Sequence, residues 1–61
     1  MDKRLVDVFG TVIRETDLAI LADCGDGEVW LPKSQLEEWP DVDCDGEIVM
    51  TEWIAEQKGL V

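Results

Sequence analysis

Apolar and polar positions along the chain change period several times, and each change predicts an element. Leu5 to Arg14 is rich in β-branched residues, with Val6, Val8 and Val12 alternating with more polar neighbours. That period of two predicts a strand, and Gly10 inside it predicts a bulge or sharp bend. Glu15-Thr16-Asp17 reads as a turn, Leu18 to Cys24 as a second strand, and Gly25-Asp26-Gly27 as a tight hairpin connection. Glu28 to Leu31 forms a third strand that stops at Pro32.

Ser34-Gln35-Leu36-Glu37 carries the capping-box pattern, which predicts a short helical turn running to about Trp39 and ended by Pro40. After the loop 41–45, Glu47 to Met50 reads as a fourth strand. Thr51 is placed as the N-cap of a last helix over 52–58, with Gly59 as its stop. Trp53, Ile54, Leu60 and Val61 are expected to cover one open end of the sheet. The fold class is mainly β (α+β): a single domain over 1–61, forming a small four- to five-stranded OB- or SH3-like open barrel with a short helical turn and a C-terminal helix.

Size limits what such a domain can do. Sixty-one residues bury only about 60% of their unfolded surface, yet 46% hydrophobic content is enough for folding. The chain has no His and no Tyr, and Ser34 is its only Ser. Ser-His-Asp triads, His-ligated zinc and imidazole acid–base chemistry are therefore excluded. With no nucleophile–base pair and little room for a deep pocket, a non-enzymatic protein without a cofactor is expected.

Charge changes the picture most. Fifteen Asp and Glu against five Lys and Arg give a net charge of −10. Lys3, Arg4 and Arg14 outweigh Asp2 and Asp7 in residues 1–14, a net of +1. From residue 15 onward thirteen acids face only Lys33 and Lys58, a net of −11. These acids are dispersed over turns and exposed strand positions, which describes a folded acidic surface that repels phosphate backbones and attracts basic ones. Asp23, Asp26, Glu37, Glu38, Asp41, Asp43 and Asp45 are the expected partner-binding residues.

Cys24 and Cys44 sit in similar Asp-flanked loops. They read as free structural thiols of a cytoplasmic protein, because no secretory signal opens the chain; a disulfide forms only if the two loops meet. Flanking carboxylates should raise both thiol pKa values. No stretch approaches the roughly 20 apolar residues of a membrane span.

One pattern matches a metal-site expression. Asp41-x-Asp43-x-Asp45-Gly46-x5-Glu52 fits the calcium-loop spacing, with Glu47 supplying a carbonyl. The context opposes it: Pro40 breaks the entering segment, and no second loop exists to pair with. The competing reading is an acidic β-turn that leads into a strand.

Residues 10–36, GTVIRETDLAILADCGDGEVWLPKSQL, resemble the first half of the OB-fold RNA-binding repeats of a large ribosomal protein and, more distantly, cold-shock domains. The shared features are a Gly-x-Val strand, an apolar strand, a Gly-rich turn, and a third strand entering Pro32-Lys33-Ser34-Gln35-Leu36. Asp45-Gly46-Glu47-Ile48-Val49 matches the family's Gly-x-x-Val strand. The Trp-Leu-Pro-Lys-Ser core also resembles small phage and prophage proteins. The OB resemblance implies single-strand binding, with Phe9 and Trp30 stacking on bases and Lys33 near the backbone. Against that stand an aromatic-free second strand and the net charge.

Three expectations follow from these features. The favoured one is an acidic protein-interaction module, such as a phage-encoded anti-CRISPR or antirestriction inhibitor that mimics nucleic acid for a basic, nucleic-acid-handling partner. The alternatives are an OB-like single-strand binder and calcium binding by the 41–52 loop. An open sheet edge also invites a homodimer.

Overall fold

The computed structural model describes residues 4–25 and 27–61. Five strands form one antiparallel sheet: β1 (Leu5–Glu15), β2 (Ala19–Asp23), β3 (Glu28–Pro32), β4 (Leu36–Glu38) and β5 (Asp45–Thr51), followed by helix α1 (Glu52–Gln57). Their spatial order is β3-β2-β1-β5-β4. The chain is thus mainly β with a short C-terminal helix, as expected. The sheet is open, with β3 and β4 as its two edges, so it does not close into a barrel.

β1 does most of the organising. Leu5–Thr11 pairs with β5 and Thr11–Glu15 pairs with β2, so one long strand changes partner at Thr11. The bulge falls between Val12 and Arg14, not at Gly10. Gly10 serves a different need. A Cβ there would lie 3.0 Å from both the Asp23 carbonyl oxygen and Cys24 Sγ, and 3.2 Å from Ile48 Cδ1. A side chain there would push against the Asp23 backbone, and glycine avoids that crowding.

Strand alternation sorts the side chains into two faces. Val12, Ile20, Ala22, Leu31, Leu36, Ile48 and Met50 form the core with Ile54 and Ala55 of α1, and Val6, Val8, Cys24, Val29, Trp39 and Leu60 pack against it. A radius of gyration of 10.3 Å is what a compact 61-residue chain should have, about 10.5 Å.

Three expectations need correction. The helical turn to Trp39 is a single 3-10 turn, Lys33–Gln35, with Pro32 at its start and no side-chain cap. Leu36–Glu38 then runs as a strand, because burying Leu36 opposite Met50 requires an extended backbone. β5 begins at Asp45, two residues earlier than the apolar run suggests. Finally, Trp53 and Val61 do not cover the core: Trp53 is 58% exposed and Val61 points to solvent, while Ala55 and Leu60 pack inward.

The helix ends follow their sequence signals. Thr51 is the N-cap, with Oγ1 accepting from the Ile54 N–H. At the other end the Gly59 N–H donates to Glu56 O (3.1 Å) and the Leu60 N–H to Ala55 O (2.8 Å), with Gly59 at φ 70°. That is the Schellman arrangement, in which the left-handed residue favours glycine.

Candidate acidic interface

The registers gather carboxylates on the face of the sheet turned away from the core. Thr11 is paired with Asp23 on one side and with Asp45 on the other, and Asp23 is paired with Glu28. Directly paired residues share a face. Glu28, Asp23, Thr11 and Asp45 therefore form one row across four strands, about 14 Å long at about 4.8 Å per strand. Phe9 faces Glu47 in the next row, and in the row beyond it Val49 lies between Asp7 and Glu38. All six of these carboxylates are exposed.

The turn before β5 adds two more. The Cys44 N–H donates to Asp41 O (3.0 Å), and the Asp43 N–H donates to Val12 O (2.7 Å) with Asp43 at φ 68°. Asp is among the residues that tolerate that left-handed geometry. Asp41 and Asp43 are thereby held beside the row that ends at Asp45. Asp23 also accepts from the Gly25 N–H at 2.9 Å, which fixes the start of the β2–β3 turn. Glu37 and Glu38 lie on edge strand β4 and line a shallow depression with Trp39.

Of the expected partner-binding residues, Asp23, Asp41, Asp43 and Asp45 come together at one end of the sheet. Glu38 joins the exposed face by way of Val49, Glu37 occupies the β4 irregularity, and Asp26 lies outside the described residues. Sequence reasoning missed Asp7 and Glu28 and counted Glu47 only as a metal ligand. The signal for Asp7 and Glu47 was the alternation itself: Asp7 stands between Val6 and Val8, and Glu47 precedes buried Ile48.

No family model, curated protein or solved structure matches this chain.

The base-stacking set is not brought together. Phe9 and Trp30 are 60% and 46% exposed, so they are surface residues and not core, as tryptophan and phenylalanine in so small a domain usually are. Trp30 is paired with Leu21, which is paired with Arg14. The carboxylate row through Thr11 thus runs between the two aromatic rings and would repel a phosphate backbone lying across them. Lys33 is engaged elsewhere. Its Nζ lies 2.7 Å from Glu15 Oε2 and 5.6 Å from the Trp39 ring centroid. This is the one ion pair among the described residues.

The calcium-loop pattern folds as a turn plus a strand. Asp45 starts β5 and Glu52 follows its last residue. At about 3.3 Å per residue they are roughly 23 Å apart, so Asp41, Asp43, Asp45, Glu47 and Glu52 cannot share one ion. Among the described residues no group of three or more His, Cys, Asp or Glu is placed to hold a metal.

Both cysteines are free thiols. Burial, and then the charge of Asp23, pushes the Cys24 thiol above its ordinary pKa. Burial is the larger cause, because Cys24 Sγ packs toward Gly10. A half-buried thiol whose pKa is raised is a poor nucleophile.

Proposed function

We propose that this protein is a non-enzymatic interaction module whose acidic sheet face occupies a basic groove on a nucleic-acid-handling protein, as a nucleic-acid mimic of the anti-CRISPR or antirestriction kind. The observation that carries the proposal is the row Glu28–Asp23–Thr11–Asp45 with Glu47, Asp7 and Glu38 beside it on the same face. None of these carboxylates has an ion-pair partner among the described residues.

Unpaired surface charge of one sign raises the rate of encounter with an oppositely charged partner. Carboxylates at alternate strand positions repeat at about 6.7 Å, and neighbouring strands repeat at about 4.8 Å. The result is a patch of negative charge spread over five strands, spaced by the sheet backbone and interrupted by Thr11, Phe9 and Val49. Rigidity matters, because a groove built for a stiff polyanion rewards a ligand that loses little entropy on binding.

The finer fold assignment supports the same picture. One long bent strand shared between two neighbours, with a 3-10 turn after β3, is consistent with an open OB- or SH3-like barrel. Folds of that kind host many functions, so the charge of the face decides between them. Single-strand binding is the weaker reading, since the aromatic rings are separated by carboxylates and Lys33 is tied to Glu15.

The test is competition. A partner captured by the immobilised protein in the presence of nuclease should lose its nucleic acid as the protein is added, and less so as salt rises. Undisturbed nucleic-acid binding by every captured protein would overturn the proposal.

A further inference from the structure

We propose that the first half of β1, Leu5–Phe9, is an acceptor edge onto which the partner adds an extended segment of alternating apolar and cationic residues. The inference deepens the proposed function and takes the partner's charge from it. Its own support lies in the backbone.

At both ends of the β1–β5 ladder the hydrogen bonds run through even-numbered residues of β1. Arg4 O accepts from the Glu52 N–H at 2.7 Å, and the Val12 N–H donates to Cys44 O at 3.0 Å. The register between them is unbroken from Leu5↔Thr51 to Thr11↔Asp45. In an antiparallel strand both backbone groups of a residue point the same way and neighbours alternate. The N–H and C=O groups of Leu5, Asp7 and Phe9 therefore point away from β5. β2 reaches β1 only from Thr11 onward, so it gives these groups nothing to bond. Among the described residues they have no other backbone or side-chain hydrogen-bond partner.

An unpaired row of this kind is a template for strand addition. The side chains specify what would add. On the inner face Val6 and Val8 are only half-buried, and an apolar residue beside them would complete the cover of the core. On the outer face Leu5, Asp7 and Phe9 are exposed, and Glu47 stands opposite Phe9. Arg or Lys at the outward positions of the incoming strand meets Asp7 and Glu47, and its stem can lie over Phe9. A second copy of this chain is the wrong occupant. Antiparallel self-pairing centred on Asp7 sets Asp7 against Asp7, and each copy brings a net charge of −10.

The experiment is amide hydrogen exchange by NMR on the intact protein, titrated with an eight-residue peptide of alternating valine and arginine. Comparison peptides are N-methylated at alternate residues or carry glutamate in place of arginine. The expected result is saturable binding with at least roughly tenfold slower exchange at the Leu5, Asp7 and Phe9 amides and no change at Val6 and Val8. The effect should be absent with both comparison peptides, and Asp7→Asn should weaken it about twofold to fivefold. Equal binding of the N-methylated peptide, with shifts confined to Asp23, Asp45 and Glu47, overturns the acceptor edge while leaving the acidic face as the binding surface. Binding of the glutamate peptide as tight as that of the arginine peptide overturns the charge rule and the proposed function with it. No binding of the arginine peptide overturns the acceptor edge.

Discussion

Asp23 and Asp45 are far apart in sequence, yet both are paired in register with Thr11, one from each side. A single neutral residue thus separates two carboxylates on the exposed face, with Glu28 continuing the row. Charges held this close by the backbone repel each other whether or not a partner is present. The double change Asp23→Asn and Asp45→Asn should leave the fold intact and stabilise it by a few tenths of a kcal/mol up to about 1 kcal/mol at low ionic strength. Added salt should stabilise the native protein more than the variant. Denaturant midpoints at about 20 mM and about 500 mM salt check both statements.

Gly10 and Gly46 are paired across β1 and β5 but should respond in opposite ways to a methyl group. A Cβ on Gly10 meets the rigid Asp23 carbonyl at 3.0 Å, whereas one on Gly46 finds only Pro40 at 3.7 Å. Gly10→Ala should cost about 1–3 kcal/mol, lowering Tm by at least about 4 °C in a domain of this size. Gly46→Ala should shift Tm little. Thermal unfolding of the pair followed by circular dichroism reads out the difference.

Thr51 holds the junction between sheet and helix. Its hydroxyl donates to Gln35 Oε1 at 2.8 Å and accepts from the Ile54 N–H at 3.3 Å, which ties the 3-10 turn to α1. Thr51→Val keeps the shape, removes both bonds and strands a buried helix N–H. A loss of about 1–2 kcal/mol is expected by denaturant unfolding. Thr51→Ser should recover most of it.

Cys24 makes stability depend on pH at the alkaline end. Its folded pKa is raised, chiefly by burial and then by Asp23, so the unfolded chain releases this proton first. The stabilisation is fully present below the unfolded thiol value near 8.5 and is lost as pH rises through the folded value. Unfolding free energy should therefore fall above about pH 8.5, and Cys24→Ala should remove that slope. Exposed Cys44 should react with a thiol reagent faster than Cys24 at neutral pH.

The elements with strong local signals were legible in the chain. Period-two alternation marked β1, the Gly-rich turn marked the β2–β3 hairpin, and Thr51 and Gly59 bracketed the helix. β4 was hidden for a physical reason: Ser34-Gln35-Leu36-Glu37 satisfies a capping box locally, but burial of Leu36 against Met50 is a long-range gain that local pattern cannot show. The calcium-loop expression failed in the same way. Its residues match one by one, yet Ile48 and Met50 are core positions that demand an extended strand through the loop's second half. The candidate site was half legible. Individual acids were visible, whereas the row that joins Glu28 and Asp23 to Asp45 exists only once β1 has changed partner at Thr11.

The most direct test of the acidic face is displacement of labelled duplex from a captured, nuclease-treated basic partner by this protein, compared with its Asp23→Asn/Asp45→Asn/Glu47→Gln variant. The native protein should displace the duplex, less so as salt rises, and the variant should be at least roughly tenfold less potent although equally folded. Equal potency of the two proteins, or no displacement by either, would contradict a role for the acidic face.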